Sequence, residues 1–317
     1  LKPSDMPVEY APAPMPAYKR NRQAWTSFCA SAGIELISGQ VYGFGLFSDI
    51  LRNKAGLNLS QAAVESVAIA ENFGQYFRLA GGFVYDSFGA RVTIVAGMLL
   101  CSAGYLAIYI AVREAAKGSG EREGPLAPLG LLCTFAFLYG QGSGWAECAV
   151  ISRTVVDFPA SRSEAAGLLK TFFGVASAVG ALAFAALFAP SREMLLLALG
   201  ICPIVVGMPL SLLVGFKSCD SPSSSHAMSE PWLRAYSVTL AVVVVLTLHS
   251  LLASLTSFLR PYETHRPANL LCFVAVMSLL AALPALPLRS SKVENGKRGE
   301  PAAVLPREAM EDCSFVE

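Results

Sequence analysis

Charge is what this chain has least of. Asp, Glu, Lys and Arg make up 15% of its 317 residues, against about a quarter in a soluble domain. The 24 Lys and Arg balance 23 Asp and Glu to a formal net charge of +1. No basic or acidic bulk field is left to gather nucleic acid. The eight cysteines, at 29, 101, 133, 148, 202, 219, 272 and 313, are scattered and fall mostly inside apolar stretches. They form no C-x-x-C pair and no metal-ligand spacing. They read as small packing residues, with no metal and no cofactor implied. No H-E-x-x-H, G-x-S-x-G or paired-Asp motif occurs, which argues against a membrane-embedded enzyme. The first 24 residues are polar and Pro-rich, so no cleavable signal peptide is expected in them. The chain opens on Leu1 rather than Met, as a fragment would.

Apolar sequence fills the space that charge leaves. Hydrophobic residues make up 54% of the chain and gather into eight runs, near 25–47, 61–83, 91–112, 129–151, 165–189, 193–216, 235–258 and 268–288. Each is close to the roughly 20 residues that cross a bilayer as a helix. The pattern predicts an all-α, polytopic membrane helix bundle of about eight transmembrane helices. A polar tail (1–24) precedes six helices (25–216), a Ser-rich linker (217–234), two further helices (235–288) and a charged, Pro-containing tail (289–317) expected to be disordered. Lys and Arg number fourteen on the side holding both termini and eight on the other, so both termini are expected to be cytoplasmic. The sequon Asn58-Leu59-Ser60 lies in a short loop on the far side and is expected to stay unmodified.

Ionisable groups inside the runs are costly and mark cavities or internal partners. In the first run Ser31, Glu35, Ser38 and Tyr42 follow at i, i+4, i+7 and i+11, one helical face. The second carries Glu71, Gln75 and Arg78. The fourth carries Gln141 and Trp145 within Gly140-Gln141-Gly142-Ser143-Gly144-Trp145, then Glu147 and Arg153. One reading makes these a polar cavity, with Glu35 or Glu71 titrating or binding substrate and Tyr42, Gln75, Gln141 and Trp145 lining it. The other makes them a packing network, with Glu71 paired to Arg78 and Glu147 to Arg153. His249, alone on the seventh run, reads as a packing histidine. Small residues from Ala165 to Ala181 suggest a close helix seam. Pro203 and Pro209, beside Gly200 and Gly207, predict a kink in the sixth helix. Between the second and third runs lies a tight turn, Gly82-Phe83-Val84-Tyr85-Asp86-Ser87-Phe88-Gly89-Ala90-Arg91. There Asp86 is placed to cap a helix end or to pair with Arg91 or Arg153.

That turn resembles the signature of the major facilitator superfamily, with Gly82, Asp86, Gly89 and Arg91 matching and most of its usual basic cluster missing. Within that superfamily the chain resembles the Nodulin-like family over roughly residues 24–288. The likeness rests on Gly39-Gln40-Val41-Tyr42-Gly43-Phe44-Gly45-Leu46-Phe47-Ser48, on Asn72-Phe73-Gly74, and on Asp157-Phe158-Pro159-Ala160-Ser161-Arg162 followed by Gly167-Leu168-Leu169-Lys170. Asp157 and Ser163 replace the Asn and Gly of the family pattern. The resemblance implies a major-facilitator-like fold. It also implies a transporter, or its N-terminal portion, moving a small molecule or ion by alternating access, with a proton as the coupling candidate. Full carriers of that superfamily have two halves, so it further implies that a C-terminal half is missing from this chain. The competing reading is a receptor-like or assembly protein on the same fold that transports nothing.

Overall fold

The computed structural model describes residues 17–52, 57–117, 127–159, 161–215, 230–257 and 266–285. The expected tail up to residue 16, the linker from 217 to 229 and the tail from 289 lie outside the described residues. Within them the chain is all-α. The helices are α1 (Ala17–Ser38), α2 (Ser48–Arg52), α3 (Gln61–Tyr76), α4 (Leu79–Lys117), α5 (Leu129–Asp157), α6 (Arg162–Ala183), α7 (Arg192–Cys202), α8 (Met208–Leu213), α9 (Glu230–Ser257) and α10 (Arg266–Ala282). Four stretches among the described residues are long and apolar enough to cross a membrane: Gln61–Lys117, Arg162–Phe188, Arg192–Leu213 and Arg234–Leu252. The protein is a membrane helix bundle.

The elements depart from the apolar runs where polar residues or glycines intervene. α1 begins at Ala17, inside the expected tail, and gives way to a 3-10 helix over Gly39–Leu46. The second run is not one helix. α3 ends at Tyr76, and α4 starts at Leu79 and continues through most of the expected turn. The chain reverses inside α4 at one residue, Gly89, with φ 79° and ψ 175°. Only glycine adopts that conformation without strain. The expected kink in the sixth run is present as a wide π turn over Pro203–Gly207, between α7 and α8.

α5 is the centre of the bundle. Its Gly140 faces the backbone of Glu71 and Gln75, and its Gly144 faces that of Gln75. Its Gly142 faces Gly97 and Cys101 of α4 on the opposite side. A Cβ on Gly140 would lie 3.0 Å from the Gln75 nitrogen, and one on Gly97 2.7 Å from the Gly142 oxygen. Glycine is what lets these three helices touch backbone to backbone. Contacts rise together along α3 and α5 (Glu71 with Gly140, Gln75 with Gly144) but run opposed along α4 and α5 (Gly97 with Ala146, Gly104 with Tyr139). The two arms on either side of Gly89 are therefore antiparallel.

α1 runs antiparallel to α5, from a Ser27–Asp157 hydrogen bond to one between Ser143 and the Ser38 carbonyl. The 3-10 helix that follows α1 meets α6 tightly at Gly39, where a Cβ would lie 2.6 Å from that of Ala176. The expected seam on α6 is thus built partly from the α1 side, and Gly174 has open space around it. α9 and α10 pack on the outer side of α6 through Val179, Leu182, Val242, Leu246 and Val276. The Trp25 indole donates to the Leu283 carbonyl at 3.0 Å.

Candidate functional site

Glu35 is fully buried in α1, and neither carboxylate oxygen has a hydrogen-bond partner. The hydroxyls of Ser31 and Ser38, on the same face, are equally buried and equally unpartnered. Buried polar groups are nearly always satisfied, so three on one face of a helix is a departure that asks for a function. Tyr42 does not continue this face. The 3-10 turn begins at Gly39, and Tyr42 is 49% exposed, its ring edge-on to Phe173 at 5.2 Å.

Counting along α1 and α5 from the Ser38–Ser143 contact towards Ser27–Asp157 brings Glu35 level with Glu147. Glu147 is buried and takes two cations. Arg78 reaches it at 2.5 Å from the break between α3 and α4, and Lys170 binds it from α6. Arg78 and Lys170 are also the positive charges that act on Glu35. They are the two of the chain's 24 Lys and Arg that fall within the apolar runs rather than at or beyond their ends. Two carboxylates and two cations from four parts of the bundle thus converge at one level. The pairings expected from sequence are corrected here. Glu147 pairs with Arg78 and Lys170, while Arg153 pairs with Asp157 at 2.6 Å, one turn along its own helix. Glu71 does not reach Arg78. Its carboxylate accepts from the Tyr139 hydroxyl, and the Tyr139 ring stacks on Tyr105 at 4.2 Å.

Gln141 and Trp145 have a local task. Where α3 breaks, the carbonyls of Gly74 and Phe77 lose their helical donors, and the Gln141 amide donates to both, at 2.8 and 2.5 Å. Its own oxygen accepts from the Trp145 indole at 2.7 Å. Arg78 adds a bond from Nε to the Gln75 carbonyl at 2.8 Å. The Gln75 side chain is buried, with the Tyr42 hydroxyl beside its amide. His249 is half-buried on α9. No group of three or more His, Cys, Asp or Glu among the described residues is placed to hold a metal.

The two loop motifs lie at the ends of α4 to α6. In the expected turn Gly82 lies within α4 with open space where a Cβ would be, Asp86 is exposed, and Gly89 makes the reversal. Arg91 donates from Nε to the Val214 carbonyl at 2.6 Å, tying α4 to the end of α8. Arg153 forms an ion pair with Asp157. Asp157 also accepts from Ser27 at 3.2 Å, and its ion pair with Arg153 uses the charge that an Asn would not supply. Phe158 meets Phe28 edge-on at 6.1 Å, while Pro159 and Arg162 are exposed. Gly167 is 3.6 Å, at its would-be Cβ, from the Tyr236 hydroxyl. Lys170, two turns into α6, belongs instead to the charge cluster at Glu147.

The sequence named every member of that cluster but not their association. Lys170 stood in a loop motif and Glu147 was matched to the wrong arginine. The usable signal was position, since both cations lie inside apolar runs.

The family model described as Nodulin-like matches residues 24–287. The Arabidopsis thaliana protein NUCLEAR FUSION DEFECTIVE 4 is 23% identical over 230 residues, which cover 73% of this chain and 38% of that protein. The chain therefore spans well under half the length of that relative. No solved structure matches.

Proposed function

This chain belongs to the Nodulin-like family, and on that footing we propose that it is a membrane carrier, or the N-terminal portion of one, of the major-facilitator kind. It moves a small solute by alternating access, with both termini cytoplasmic and Glu35 as the group that exchanges a proton. The observation that carries this reading is the state of Glu35. It is fully buried, and neither of its oxygens is bonded, while Arg78 and Lys170 bond Glu147 at the same level. A carboxylate that served only packing would be tied to one of those cations. One left unbonded beside them can gain or lose a proton at small structural cost, and its charge then changes the balance of the whole cluster.

The test is Glu35→Gln in the full-length carrier reconstituted in vesicles. The variant is expected to lose accumulation driven by a pH gradient and to keep solute exchange. Normal pH-driven uptake by a well-folded Glu35→Gln protein removes the coupling role.

A further inference from the structure

The charge balance around Glu147 points to the class of solute. We propose that Lys170 and Arg78 bind the carboxylate of a small organic anion, with Phe173 and Tyr42 against its apolar part. This rests on the carrier reading above and adds the substrate class to it.

Glu147 is the one carboxylate bonded to both cations, and it is 1% exposed. The Lys170 side chain is 53% exposed and that of Arg78 26%, so the open side of the cluster is its positive side. An ammonium carries three donors and a guanidinium five. Lys170 gives one of them to Glu147, while Arg78 is ion-paired with Glu147 and donates from Nε to the Gln75 carbonyl. The remaining donors of both have the fork-and-point geometry that takes a planar carboxylate. Beside them Lys170 stands over the Phe173 ring at 5.6 Å, and the half-exposed Tyr42 meets the same ring edge-on at 5.2 Å. Aromatic faces next to two cations suit an anion with an apolar body better than a sugar or an amine.

Glu35 sets when the anion is held. The charged groups facing it are Lys170 from α6 and Arg78 from the α3–α4 break, with Glu147 of α5 at its level. With Glu35 ionised these four groups sum to zero. With Glu35 protonated they sum to one positive charge, carried on the open side of the cluster by the exposed cations. A solute carboxylate restores neutrality. Proton and anion therefore bind in support of each other, and by linkage each strengthens the other to the same degree.

The experiment uses purified protein in detergent and matched probes: benzoate and lactate, each beside its amide, with benzylamine as the cation. Thermal unfolding is expected to shift upward with the two carboxylates alone, with binding roughly tenfold tighter at pH 5.5 than at pH 7.5. Glu35→Gln is expected to abolish that pH dependence, and Lys170→Gln to remove the carboxylate effect. Mass-spectrometric mapping of acetylation in the unaltered chain keeps the proposal testable if Lys170→Gln does not fold. Saturating benzoate is expected to slow acetylation of Lys170 at least about tenfold, the equivalent of one charged hydrogen bond, and to leave Lys117 unaffected. Equal shifts with the amides, a preference for benzylamine, or no protection of Lys170 overturns the anion site. Proton-driven uptake of a neutral solute would keep the carrier reading and sink this one. Carboxylate binding with no transport would do the reverse.

Discussion

Glu35 and Glu147 stand level in neighbouring helices, yet their substitution should cost different amounts. Glu147→Gln leaves Arg78 and Lys170 facing a neutral amide. Breaking a buried pair costs about 3–5 kcal/mol, and the half-exposed side chain of Lys170 lowers this to about 2–3 kcal/mol by solvent screening. Glu35→Gln removes no bond and should cost less than about 1 kcal/mol. Thermal unfolding of the two variants under one set of conditions compares them. Similar large losses would mean that Glu35 is held by a cation after all. The residues themselves were legible in the sequence, because a Glu in an apolar run is conspicuous. Their partners were not. Whether Arg78 turns to Glu71, seven positions back, or to Glu147, far along the chain, depends on which helix presses against the α3–α4 break. Local spacing carries no information on that.

The hairpin of α3 and α4 separates two glycines that the sequence treats alike. Gly89 holds φ 79° and ψ 175°, so Gly89→Ala is expected to destabilise by about 1–3 kcal/mol. Gly82 lies within α4 with nothing within 4 Å of a would-be Cβ. Gly82→Ala should therefore be neutral or stabilise by up to about 1 kcal/mol. Thermal unfolding of the paired variants checks the opposite signs, and a large loss at Gly82 would place it in a different backbone. The reversal itself could be read from the apolar runs on either side. The break at Phe77–Arg78 could not, because the donor that makes it tolerable, Gln141, comes from another helix. A helix interrupted by a distant side chain looks continuous in its own sequence.

At the scale of the molecule, composition and run length were enough to identify a membrane helix bundle, since 54% hydrophobic residues leave little else to build. Orientation rests on the excess of Lys and Arg at one face and is a proposal. In a background without the eight native cysteines, a cysteine at Ser87 is expected to label from the cytoplasmic side, and one at Lys117 from the opposite side. The reverse pattern overturns the orientation while leaving the bundle intact. Packing at the centre has a further result for motion. Helices that slide past one another usually do so by changing side-chain rotamers at their seam. Gly140, Gly142 and Gly144 have no rotamers to change, and α5 meets main chain on both flanks. The trio α3, α4 and α5 is thus a monolith without internal gears, and any rocking of the proposed carrier must find its slip plane at α1 or α6.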